Sequence, residues 1–172
     1  MPNLKLAALA LLITLLMTTQ CCAFNEAGGR EAFVNAAREY IGTPYRFGGE
    51  NTDGTDCSGL IYAVCRDVGC PIHRISARRL AESYAKVADW QPGDLPCFSH
   101  NGRSVAHIGI WSSKEEILMI HASSSKGVIE SEVNQYYWAP RLVSTVEMPT
   151  LGDVRNTIRN RNAAILDSME DN

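Results

Sequence analysis

The apolar residues of this chain change period once, and that change constrains the fold more than any other feature. Up to about residue 85 they recur at three- and four-residue spacing; beyond Gln91-Pro92-Gly93-Asp94 they fall into short alternating runs. Arg30 to Ile41 reads as an amphipathic helix with Phe33, Ala36, Ala37, Tyr40 and Ile41 on one face. Leu60, Ile61, Val64 and Val68 mark a second helix that ends near Gly69, with Pro71 just beyond. Ser76 is placed to cap a third, reaching Ala85. Strands are predicted at Leu95 to Phe98, Val105 to Trp111, Ile117 to His121, Val128 to Glu130 and Leu142 to Glu147. Short polar or glycine-bearing turns separate them, as in an antiparallel meander. Helices first and strands after is the pattern of an α+β domain, with N-terminal helices packed on an antiparallel sheet.

The two ends stand apart from this pattern. Lys5, an apolar run from Leu6 to Met17, then Thr18-Thr19-Gln20 and small residues up to Ala23 describe a secretory signal peptide, residues 1–23. The run is shorter than the roughly 20 apolar residues that span a bilayer. Acylation at Cys21 or Cys22 is the lipoprotein alternative, but Met17-Thr18-Thr19-Gln20 fits such a site poorly. From Thr150 to Asn172 the chain is a polar, charged tail. Residues 24–149 therefore form the expected domain, long enough for one sizeable core. Of 16 basic and 19 acidic residues only Lys5 lies in the leader, so the mature charge is −4, with no basic stripe for nucleic acid. The location implied is extracellular or periplasmic, and a monomer is expected.

Cys57 is the position most open to chemistry. It follows Gly42-Thr43-Pro44-Tyr45-Arg46-Phe47-Gly48-Gly49, too rich in Gly and Pro for regular structure, and it opens the second helix. Free N–H groups and the helix dipole at such a position favour a thiolate and are expected to lower the thiol pKa. His107 and His121 sit on consecutive predicted strands, and a turn centred near residue 114 places them opposite each other. Cys57, His107 and His121 then form a nucleophile, a base and an orienting group. The alternative is zinc, held by these three or by Cys65, Cys70 and His73, though the latter spacing lacks a paired C-x-x-C element. In an oxidising compartment Cys70 or Cys65 pairs with Cys97, or all three stay as buried thiols.

Taken together these pieces resemble the NlpC family of papain-like cell-wall endopeptidases. The matching stretches are Gly42–Gly49, Asp56-Cys57-Ser58-Gly59-Leu60, Arg74-Ile75-Ser76, Gln91-Pro92-Gly93-Asp94-Leu95, Ala106-His107-Ile108-Gly109-Ile110 and Ile120-His121-Ala122. The resemblance implies a papain-like fold with Cys57 as nucleophile, His107 as base and His121 as its orienting partner. It places Tyr45 beside the nucleophile as an oxyanion donor. It assigns Asp56, Ser58 and Arg74 to the subsite for the peptidoglycan stem peptide, with Asp56 receiving the substrate's free amine. No metal or other cofactor is implied. The implied reaction is hydrolysis of the γ-D-glutamyl–diamino acid bond. The rivals are a muramyl–L-alanine amidase of the CHAP type, a catalytically silent wall-binding protein, and acyl transfer. Pro96-Cys97 departs from the family's apolar strand pair, and a proline there implies an edge or a bulge.

Overall fold

A computed structural model describes residues 26–70, 72–134 and 136–149. The predicted leader, the proline stop at Pro71 and the predicted tail from residue 150 lie outside the described residues. Helix α1 runs Glu26–Arg38, α2 Cys57–Asp67 and α3 Ala77–Ser83. Two short strands, β1 (Glu50–Asn51) and β2 (Gly54–Thr55), precede α2. The rest are β3 (Lys86–Val87), β4 (Leu95–Phe98), β5 (His107–Ile108), β6 (Ile110–Ser113), β7 (Leu118–Ser123), β8 (Gly127–Glu132) and β9 (Leu142–Val146). The α+β expectation holds: helices come first and pack on antiparallel sheet.

The meander expectation holds only for β6-β7-β8. Strands β1 and β2 pair with each other, and the four-stranded sheet has the order β3-β9-β4-β5, because β9 returns from the far end of the chain to pair with both β3 and β4. Pro96 is consequently not on an edge. Its carbonyl accepts from Gly109 N–H at 3.1 Å, but it has no N–H to offer, and at Gly109 β5 gives way to β6. Trp111 N–H donates to Asp94 O at 2.8 Å, so pairing with the β4 side resumes past the break. The bulge in β4 lies at Cys97/Phe98, one residue further on.

The main core joins Phe33, Val34 and Ala37 of α1 to Leu60, Ile61 and Val64 of α2 and to Leu95, Ile108, Ile110, Ile120 and Val128 of the sheets. Ile41 does not belong to it. Helix α1 stops at Arg38, so the helical face ends before Ile41, which is half exposed, and Val34 takes the place in the core. A second cluster on the opposite face of the sheets joins Phe98, Trp111, Met119 and Val133, with Trp90, Trp138 and Leu142 packed against it. Trp90 stacks on Trp111 at 4.1 Å, and the Trp111 indole N–H donates to Thr145 Oγ1 at 3.1 Å. Cys65, Cys70 and Cys97 are all buried. Cys97 is a free thiol, so neither pairing with it is made. Among the described residues no helix is long and apolar enough to cross a membrane.

Candidate active site

Helix α2 begins where the sequence placed it. Asp56 is the N-cap and its side chain accepts from Gly59 N–H at 2.7 Å, which leaves Cys57 as the first helical residue. The loop before it folds back onto this start: Gly48 N–H donates to Asp56 Oδ2 at 2.8 Å, and Asp56 N–H donates to Gly49 O at 3.2 Å. Arg74 completes the arrangement with a two-oxygen grip on the Asp56 carboxylate, both contacts 2.9 Å, while its Nη1 donates to Ser58 Oγ at 2.8 Å. Ser58 Oγ in turn donates to Asp56 Oδ1 at 2.9 Å. Burial raises the Asp56 pKa, but the bonds from Gly59, Gly48 and Ser58 and the Arg74 charge outweigh it and hold the carboxyl below its usual range. Asp56, Ser58 and Arg74 are thus one network. Both Asp56 oxygens already carry donors from the chain itself, so the group first of all fixes the start of α2.

Cys57 is half-buried, and burial pushes its thiol up, against the expectation from helix position alone. The Ile108 N–H bond to sulfur pulls the other way, the Asp56 charge adds to the rise, and the N–H groups of Ser58 and of Cys57 itself oppose it. Desolvation wins because the helix is held against β5. Tyr45 is close enough that burial, then the Cys57 and Asp56 charges, raise its own pKa.

The histidine contact is made, but not by the expected register. His107 pairs with Phe98 on β4, and His121 pairs with Ile129 on β8. The β6–β7 ladder matches Ile110 with Ile120, and Gly109 passes so close to β7 that an added Cβ would lie 3.1 Å from Ile120 O. That close crossing brings His107 Nε2 to 3.0 Å from His121 Nδ1. Among the described residues no three His, Cys, Asp or Glu side chains converge as a metal site.

Two partners of this pair lie outside the residues that the sequence patterns mark. Ser131 Oγ lies 3.0 Å from His121 Nε2, a diagonal contact from β8. It is the residue directly after Glu130, where the strand runs on past its predicted end. Trp138 stacks on His107 at 5.1 Å and meets the edge of His121 at 4.9 Å. The aromatic run Tyr136-Tyr137-Trp138 was its only trace in the chain. Tyr45, both histidines, Tyr137, Trp138 and Arg141 are among the residues lining a cavity of about 620 Å³.

Burial, and next the charges of His121 and His100, lower the His107 pKa to about 3; burial lowers that of His121 to about 4. Unfolded, each ring takes up its proton near 6.5; folded, it resists until far lower. Stability is therefore highest above pH 6.5 and falls as pH drops towards 4, by up to about 1.4 kcal/mol per pH unit for each ring. Urea midpoints at pH 7 and 4.5 should show this loss in the wild type and less of it in His121→Asn. A flat profile would contradict neutral, buried rings.

The pattern of the NlpC/P60 family matches residues 42–147, from the glycine loop to the end of β9. The chain belongs to the NlpC/P60 family. One similar protein is the probable endopeptidase NlpC of Escherichia coli K12, 35% identical over 108 residues, which cover 59% of this chain and 66% of that one. Another is the gamma-DL-glutamyl hydrolase of Bacillus subtilis 168, 34% identical over 114 residues, covering 63% of this chain and 27% of its own length. The chain thus spans just under two thirds of the first and about a quarter of the second. Among solved structures, the NlpC/p60 domain of the peptidoglycan hydrolase SagA superposes with a TM-score of 0.56 at 29% identity, covering 69% of this chain and 98% of that domain. The papain-like expectation for the fold is met.

Proposed function

We propose that this protein is a secreted cysteine endopeptidase that hydrolyses the γ-D-glutamyl–diamino acid bond of peptidoglycan stem peptides. The observation that carries the reading is the His107–His121 contact of 3.0 Å beside a cysteine that opens a buried helix and accepts from Ile108 N–H. The names of its relatives, an endopeptidase, a gamma-glutamyl hydrolase and a peptidoglycan hydrolase, support the substrate and the bond.

At rest the thiol and imidazole are both neutral. His121 Nδ1 occupies Nε2 of His107, so Nδ1 of His107 is the nitrogen that takes the thiol proton. The sulfur then attacks the amide carbonyl. The Tyr45 hydroxyl and the Cys57 N–H, one of the first-turn donors without an intrahelical acceptor, hold the oxyanion. His107 returns its proton to the leaving amine, then acts as base for the water that hydrolyses the thioester. The substrate's free amine approaches the Asp56 carboxylate, whose charge attracts it although its lone pairs are shared with the chain. Residues 1–23 direct export and are removed.

The test is mass spectrometry of muropeptides digested by wild type and by Cys57→Ala. The expected product is the dipeptide L-Ala-γ-D-Glu, from wild type only. Release of the intact stem peptide would make the protein an amidase instead. No product, together with a Cys57 that fails to alkylate, would leave a wall-binding protein.

A further inference from the structure

The cavity beside the histidine pair has an unusual charge for this chain. Among the described residues no aspartate or glutamate lines it, whereas Lys126 and Arg141 both do, together with Ser123, Ser124 and Ser125. The sequence as a whole carries three more acidic than basic residues, so two cations lining one cavity are a local departure. Among the described residues neither takes part in an ion pair; the pairs formed are those of Arg30, Arg38, Arg66, Arg74 and Lys114.

Both cations are carried on fixed backbone. Arg141 donates from Nη1 to Tyr137 O at 2.6 Å, and its guanidinium lies 4.3 Å over the Tyr137 ring, which holds the fork in place. Lys126 sits in the turn between β7 and β8. That turn is fastened to the loop bearing Tyr45: Val128 N–H donates to Thr43 O at 2.8 Å, and Gly42 N–H donates to Val128 O at 2.9 Å. Gly127, at φ +75°, lies so close to Thr43 that a Cβ would overlap its carbonyl.

We propose that Lys126 and Arg141 form a carboxylate subsite on the leaving-group side. It selects stem peptides whose diamino acid ends in a second carboxylate, as diaminopimelate does, over those with lysine. This rests on the hydrolase reading above. The side follows from the chemistry: His107 must protonate the leaving amine, so the departing residue lies on the histidine side of the bond. The cavity opens there, and none of Asp56, Ser58 or Arg74 lines it. The two diamino acids present the same scissile amide. They differ at the side-chain end, where diaminopimelate is a zwitterion and lysine a bare ammonium. The two cations attract the added carboxylate and repel the ammonium that lacks one, so the same cavity favours one substrate and disfavours the other.

The experiment compares kcat/KM for L-Ala-γ-D-Glu-diaminopimelate, its lysine counterpart, and a diaminopimelate peptide amidated at the distal carboxylate. The wild type should favour the acid over both others by tenfold or more. The double variant Lys126→Gln/Arg141→Gln should bring the three values within about threefold of one another. Should the double variant fold poorly, Lys126→Gln alone, on an exposed turn, should still cut the preference severalfold. Equal wild-type rates on the acid and lysine peptides, or a preference that survives Lys126→Gln and the double variant, overturns the subsite and leaves the hydrolase intact. Cleavage of none of the three by wild type overturns both.

Discussion

Gly59→Ala should destabilise the protein by about 3 kcal/mol, the upper end of what overpacking costs, and should abolish turnover with it. Helix propensity alone argues the reverse, since alanine in a helix is favoured over glycine by about 1 kcal/mol. The packing decides the sign. Gly59 lies in the first turn of α2, where an added Cβ would overlap the Gly49 carbonyl oxygen and come within 2.8 Å of Thr55 Oγ1. That oxygen cannot move aside cheaply, because Gly49 is itself confined: a Cβ there would overlap Gly54 O, and one on Gly54 would lie 2.7 Å from Arg46 Cβ. Glycine backbones at 49, 54 and 59 therefore stack without side chains between them. Asp56 and Cys57 hang on that stack through the Asp56 N–H bond to Gly49 O. Pushing α2 outward separates the thiol from Ile108 and His107 together. Urea midpoint and turnover on muropeptides measure the two effects. A wild-type midpoint with normal turnover would show that the loop yields, and that the close packing has no part in placing Cys57.

How much of this site could be read in the chain depends on how local its causes are. The start of α2 was legible because a cap, a breaker loop and an apolar period all act within a few residues. The same holds for α3, where Ser76 Oγ accepts from Arg79 N–H as expected. The histidine pair was legible as a contact but not as a mechanism of contact. A hairpin count assumes an unbroken ladder, while the chain breaks at Gly109 opposite a proline that offers no N–H. The strand partners of β9 were invisible, because a residue near the C-terminal end of the domain pairs with β3 and β4 only through tertiary packing. The thiol pKa came out with the opposite sign for a related reason. Helix position is a sequence property; the burial that outweighs it is supplied by β5, fifty residues away.

Replacing His121 with alanine should lower kcat by about a thousandfold, within the range that general acid–base groups contribute, with little change in KM. The argument is about tautomers. If His107 Nε2–H donates to His121 Nδ1, then His121 Nε2–H donates to Ser131 Oγ, and Nδ1 of His107 keeps the lone pair that the thiol proton requires. Without His121 the imidazole can turn or carry its hydrogen on the wrong nitrogen, the fault that makes an orienting residue matter. His121→Asn restores an acceptor and should recover part of the rate. The pH profile separates this from simple damage. Catalysis needs a neutral His107, and with its pKa lowered to about 3 the wild type should stay active well below pH 6.5. Burial is the first cause of that lowering and His121 the second, so His121→Asn should move the acid limb upward, towards the ordinary imidazole value. An acid limb that stays put while kcat falls would mean that His121 matters for folding rather than for the proton. A kcat within threefold of wild type in His121→Ala would remove it from the mechanism.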